Sequence, residues 1–256
     1  LLKKASMPTA ATLPDGRIRL YFARRNFVGV SEKEGKWNNG IMSAISTDGL
    51  HFIEEEGYRI VMAENGPKDT KDFREYYPVA GTGDVKDIWA FAHLNAVSMD
   101  GGYRIYFDEG GMRADPRKYG ETMAWPLSRG RSIFSEDGLN FRLDPGVRID
   151  VGEPPLTIMQ RSSNPSVLKL DDGYHMFFFA GFSPWEDLMG WKRLAWSGTY
   201  EATSPDGLRF TIKNIPRFGG NDATVVKMGN ILRAYPSRGL KNLPGCNEIL
   251  LYEKKL

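Results

Sequence analysis

Apolar residues occur in short runs along the whole chain, and each run stops at a turn built on glycine, asparagine or aspartate. Such runs are too short for amphipathic helices and fit strands separated by turn residues. Apolar runs at 9–13, 96–99, 166–170 and 224–227 each lead into a turn: Pro14-Asp15-Gly16, Asp100-Gly101-Gly102, Asp171-Asp172-Gly173 and Met228-Gly229-Asn230. After each turn comes an aromatic-rich run, at 18–22, 103–107, 174–179 and 231–235. A second turn phrase follows at a distance, in three copies. These are Ser46-Thr47-Asp48-Gly49-Leu50-His51-Phe52, Ser135-Glu136-Asp137-Gly138-Leu139-Asn140-Phe141 and Ser204-Pro205-Asp206-Gly207-Leu208-Arg209-Phe210. Asp-Gly is a strong hairpin signal because tight two-residue turns need positive φ.

One unit therefore predicts strand, turn, aromatic strand, long connection, strand, Asp-Gly turn and final strand. Four antiparallel strands in a repeated unit are the composition of a propeller blade. The expected fold class is all-β, a β-propeller of four-stranded antiparallel blades. Four repeats are readable, the fourth without its Asp-Gly phrase. A degenerate fifth is placed at 57–87, or a further blade lies outside the fragment. Residues 1–256 are expected to form a single propeller domain, lacking an N-terminal segment.

Composition narrows the function classes. A net charge of +2 leaves no electrostatic footprint for nucleic acid or an anionic membrane, and neither is expected as a partner. No apolar run approaches the roughly 20 residues that span a bilayer. Cys246 is the lone cysteine, so neither a disulfide framework nor a cysteine metal cluster is expected. The chain begins with Leu1 rather than methionine, which suggests a removed leader or a truncation. Localisation stays open, with export ahead of the cytosol.

In a blade, the start of the first strand and the second-to-third connection lie at one end, and the Asp-Gly turns lie at the other. The connections at 24–39, 108–130 and 181–194 are long and carry Trp37, Trp125, Trp185 and Trp191 among many charged residues. Long loops on a rigid scaffold usually carry binding residues. That end is the expected pocket face.

The blade pattern with its Asp-Gly-Leu-x-Phe phrase resembles the propeller glycosidases: arabinanases, β-xylosidases, invertases and levansucrases, the five-bladed type. The phrase is also similar to a shortened Asp-box of the sialidases. The resemblance implies a carbohydrate partner, an oligosaccharide or polysaccharide, and catalytic carboxylates at the starts of inner strands. Aligning the chain with itself puts Met7, Leu94, Asn164 and Asp222 at that position, and among them only Asp222 is an acid. Loop acids add Asp108, Glu109 and Glu75. Glycosidic hydrolysis uses two carboxyl groups, roughly 5–5.5 Å apart for retention or 6.5–9.5 Å for inversion. Asp222 with Glu109 or Glu75 is the expected pair.

His93, Asn95, Arg161, Ser162, Ser163, Asn164, Asn221 and Asp222 are expected to point into one funnel, where polar groups meet sugar hydroxyls and Trp125 and Trp185 stack on rings. No cofactor and no metal ligand set is assigned. Arg24, Arg25, Arg74, Arg113 and Arg161 offer a clamp for an anionic sugar, a reading placed behind a neutral one. Two functions follow from these residues. The first is a glycoside hydrolase; the alternative is a non-catalytic carbohydrate-binding or structural propeller that has lost its acids.

Overall fold

The computed structural model of the chain describes residues 5–28, 36–61, 90–112, 127–149, 161–181, 198–213, 217, 221–239 and 247–256. Its regular structure is entirely β among these residues, arranged as four antiparallel blades. Blade one holds β1 (Ala5–Thr12), β2 (Ile18–Val28), β3 (Lys36–Ser46) and the short β4 (Ile53–Glu54) and β5 (Ile60–Val61). Blade two holds β6 (Ala90–Met99), β7 (Gly102–Met112), β8 (Leu127–Ser135) and β9 (Arg142–Leu143). Blade three is β10 (Arg161–Leu170), β11 (Gly173–Gly181), β12 (Gly198–Ser204) and β13 (Thr211–Ile212). Blade four is β14 (Asn221–Met228), β15 (Ile231–Gly239), β16 (Asn247–Ile249) and β17 (Tyr252–Lys255), the last two both pairing with β15. The expected fifth blade at 57–87 falls mostly outside the described residues; its described start, β5, pairs with β3 of blade one.

Two of the expected connections are shorter than the apolar pattern suggested. The β2–β3 ladder runs unbroken from Ile18↔Ser46 to Val28↔Lys36, and β7 continues to Met112. Backbone pairing needs no apolar side chain, so the ladder continues through Arg24-Arg25-Asn26.

The chain divides into two compact units, Leu1–Leu127 with Arg131–Gly146, and Ser128–Gly130 with Val147–Leu256. In the first, β1 packs on β6, and Tyr21, Ile41, Ile105, Phe107 and Ile133 form a core sealed from solvent. In the second, β10 packs on β14, with Phe177, Val225 and Ala234 clustered between them. Fully burying each valine, isoleucine or phenylalanine among them contributes about 1.5–3 kcal/mol relative to exposure.

The three Asp-Gly phrases have one geometry. Ser46 Oγ donates to Asp48 Oδ1 and accepts from the Gly49 N–H, while the Leu50 and His51 N–H groups donate to the same Asp48 oxygen at 2.8 Å. Ser135/Asp137 and Ser204/Asp206 repeat every one of these bonds. Donated N–H groups favour the ionised carboxyl, so Asp48 and Asp137 lie well below the usual range. At Asp206 burial works the other way, but the Arg209 and Leu208 N–H groups and the Ser204 hydroxyl hold it down to about 2.

The second phrase also brackets two blades together. Arg19 and Tyr21 of β2 donate to the Asp137 and Gly138 carbonyls, and the Phe141 ring meets Tyr21 edge-on at 5.5 Å. Gly138 sits at φ +73°, and a Cβ there would lie 2.6 Å from Arg19 and 2.7 Å from Tyr21. Only glycine fits both the conformation and the approach. Phe52, like Phe141, packs partly buried against its core cluster.

Candidate functional site

All four inner strands break their register at the same place. The bulge falls between Ser6 and Thr9, Ala92 and Asn95, Ser163 and Ser166, and Asn221 and Thr224. In each, two residues face one on the second strand, and the first of the two is Met7, His93, Asn164 or Asp222. Met7, His93 and Asn164 all adopt positive φ, at 54°, 50° and 57°, and among the described residues no other non-glycine does. An L-residue in this region costs about 1–2 kcal/mol. The strain repeats at one row, at the end of the blades where the long connections begin, and bulges of this kind are over-represented next to binding and catalytic sites.

The row corrects the self-alignment by one residue. His93, not Leu94, is the counterpart of Met7, Asn164 and Asp222 in its own blade. Leu94 instead matches Pro8, Pro165 and Ala223, the second bulge residues. A signal for this existed in the sequence: each row residue lies six positions before the residue entering the first turn, Leu13, Met99, Leu170 or Met228.

In blade two the bulge positions a pair. His93 Nδ1 lies 2.7 Å from Asp108 Oδ1, on the adjacent β7, and the His93 N–H points to Met7 Sδ at 3.2 Å. The Asp108 residue is only 4% exposed, whereas the His93 side chain is 31% exposed. A carboxylate oxygen is an acceptor, and this contact suits the imidazole with a proton on Nδ1. The contact engages one ring nitrogen and leaves Nε2 as the other polar atom of the ring. In blade three Asn164 is 7% exposed, and neither its amide nitrogen nor its amide oxygen has a hydrogen-bond partner among the described residues. Leaving such a group unpaired costs about 1–3 kcal/mol.

The other expected residues divide cleanly. Asn95 is the first paired residue after the bulge, two positions beyond His93. In blades one and three that row is occupied by Thr9 and Ser166, whose hydroxyls accept from the Ala96 and Val225 N–H groups of the neighbouring inner strand. Arg161 and Asn221 head β10 and β14, Asp222 holds the fourth bulge, and Glu109 follows Asp108 on β7; the side chains of these four are outside the described residues. Glu75, Trp125 and Trp185 lie outside them altogether. Arg24, one of the candidate clamp residues, forms a bidentate pair with Glu54 at 2.6 and 2.8 Å. Its guanidinium lies over the Phe22 ring. Among the described residues no group of three histidine, cysteine or acidic side chains is placed to hold a metal ion.

No family model and no curated protein sequence matches the chain. Solved structures do. A family 117 glycoside hydrolase of the marine bacterium Zobellia galactanivorans superposes with a TM-score of 0.62 at 14% identity, over 97% of this chain and 66% of that one. A family 32 β-fructofuranosidase of Bombyx mori gives 0.58 at 13% identity, over 95% of this chain and 45% of that one. An α-L-arabinanase mutant of Cellvibrio cellulosa gives 0.58 at 12% identity, covering 99% and 71%. The fold is the β-propeller of these glycoside hydrolases. Four blades are described, against the five expected. The chain spans less than two thirds of the length of the first two neighbours.

Proposed function

We propose that the chain is a carbohydrate-active propeller, a glycoside hydrolase that binds an oligosaccharide or polysaccharide across the inner-strand bulges and cleaves a glycosidic bond. The observation that carries this reading is the strained row itself: Met7, His93 and Asn164 held at positive φ in equivalent bulges, with Asp222 in the fourth. Solved structures of similar fold include a family 43 enzyme of Xanthomonas citri complexed with xylotriose and a Bombyx mori β-fructofuranosidase mutant in complex with sucrose.

In this reading the Asn164 amide donates to one sugar hydroxyl and accepts from another, which supplies partners that it does not have among the described residues. His93 Nε2 accepts a hydroxyl proton, and Asp108 acts through it as a positioning residue by holding the ring. Asp222 is the row's carboxyl group for acid or base work, and Glu109 is the first choice of second carboxylate, with Glu75 behind it. Trp125 and Trp185 are assigned to ring stacking, and Arg161, Asn221 and Asn95 to further hydroxyl contacts. No metal or cofactor enters the reading.

Release of reducing sugar from arabinan, xylan, fructan and sialoside substrates tests it. Asp222→Asn should lower turnover at least about 100-fold, the usual scale of an acid/base contribution, and leave sugar binding largely intact. Unchanged turnover removes Asp222 from the chemistry. A second reading, a non-catalytic sugar-binding propeller, is favoured by Met7 and Asn164, since neither side chain can exchange a proton at the row where the resemblance implies acids. Binding without release by the wild type would select it.

A further inference from the structure

Met7 sits worst in the conformation that the bulge row imposes. It holds φ +54° in β1, is partly exposed, and its Sδ accepts the His93 N–H of the neighbouring inner strand at 3.2 Å. Histidine and asparagine enter the left-handed region several times more readily than most side chains, and methionine does not share that tolerance. Glycine would relieve the conformation altogether.

The contact to His93 does not by itself account for a thioether at this position. Sulfur is a weak acceptor, and an amide oxygen would take the same N–H more strongly. An amide residue also suits the backbone, since Asn164 holds φ +57° in the equivalent bulge of blade three. What methionine supplies and an amide lacks is apolar, polarisable surface. Here that surface lies against the backbone of His93, whose ring is 31% exposed and held by Asp108 at 2.7 Å. A sugar hydroxyl placed on the thioether would give up water without gaining a strong partner. The flat C–H face of a pyranose is matched by an aromatic plane. A thioether offers no plane and suits a single methyl group.

We propose that Met7 selects a 6-deoxyhexose. Its thioether receives the C6 methyl, where an ordinary hexose carries a hydroxymethyl group, and the His93 ring takes a neighbouring hydroxyl. The proposal rests on the sugar reading of the row and narrows its substrate class. Apolar surroundings reject an added hydroxyl by at most about 100-fold, so the expected preference is about 10- to 100-fold.

Calorimetric titration of the full chain with matched sugars tests it: D-fucose against D-galactose, L-fucose against L-galactose, and L-rhamnose against L-mannose. Each pair differs only in the 6-hydroxyl. At least one 6-deoxy sugar should bind more tightly than its partner by the stated margin. Met7→Leu keeps the apolar surface, loses the sulfur acceptor and should retain the preference. Met7→Gln keeps an acceptor, loses the apolar surface and should abolish it. Equal affinity within every pair that binds overturns the proposal. So does a preference that survives in folded Met7→Gln or disappears in folded Met7→Leu, because Met7 then acts only through its contact with His93. Binding of arabinan-, xylan- or fructan-derived oligosaccharides without binding of any 6-deoxy sugar overturns the substrate class and leaves the sugar reading standing. Binding of no sugar at all removes both.

Discussion

Replacing Glu201 by glutamine should destabilise the second unit by about 2 kcal/mol at pH 7, and the loss should fade in acid. Glu201 accepts from His175 Nδ1 at 2.8 Å, Lys213 Nζ at 2.9 Å and Arg217 Nε at 2.6 Å. Burial pushes its carboxyl up, but Lys213, His175 and Arg217 together bring it down from 4.5 to about 2. At 1.36 kcal/mol per pKa unit, that depression corresponds to about 3 kcal/mol of folded-state preference for the anion. The Lys213 and Arg217 side chains are 37% and 39% exposed, so solvent screening reduces the figure to about 2 kcal/mol. A carboxyl depressed on folding contributes fully above its unfolded value near 4.5 and is lost as pH falls toward 2. The gap between wild type and Glu201→Gln should thus stay flat from pH 7 to 5 and shrink to roughly two-fifths at pH 3. Calorimetric unfolding of both proteins across this range reads the gap directly. The difference is the informative quantity, because Asp48, Asp137 and Asp206 are depressed as well and shift both curves alike. A gap that is absent at pH 7, or as large at pH 3 as at pH 7, would refute the reasoning.

Two further substitutions probe the blades. Tyr21→Phe deletes the donor to the buried Gly138 carbonyl and should cost about 1–2 kcal/mol in chemical denaturation; an unchanged midpoint would show that the bracket between blades one and two does not depend on that bond. Asn164→Gly removes a buried amide and a residue at φ +57°, and should raise stability by about 1 kcal/mol, read as a higher melting temperature. A fall instead would mean that Asn164 is a structural residue.

Much of the fold was legible because turn chemistry is local. Asp-Gly and its relatives punctuate the first-to-second strand turns of all four blades, and the serine and aspartate of each second phrase make their bonds within a few residues. The apolar runs likewise marked the inner and second strands. The bulge was hidden for the opposite reason. It is defined by a partner strand, and Leu94 matched Met7 as an apolar residue while His93 broke the apolar run. The charge clusters were also illegible. Ser43 beside Glu55 and Ser132 beside Asp144 serve the arginines of blades one and two. Blade three exchanges the sites, placing Glu201 where the serines stand and Lys213 where the acids stand. A pattern that conserves charge complementarity while swapping its carriers leaves no motif to read. Of the candidate site, His93, Asp108, Asn164 and Asp222 were all named from sequence, but the pairing of His93 with Asp108 required coordinates.

The central claim is that the strained row is kept for a sugar. Calorimetric titration of arabinan-, xylan- and fructan-derived oligosaccharides into the wild type and Asn164→Gly tests it most directly. At least one oligosaccharide should bind the wild type saturably, and its affinity should fall roughly 5- to 30-fold in the variant, the scale of one or two lost hydrogen bonds. No binding by the wild type, or equal affinity in both proteins, would contradict the account.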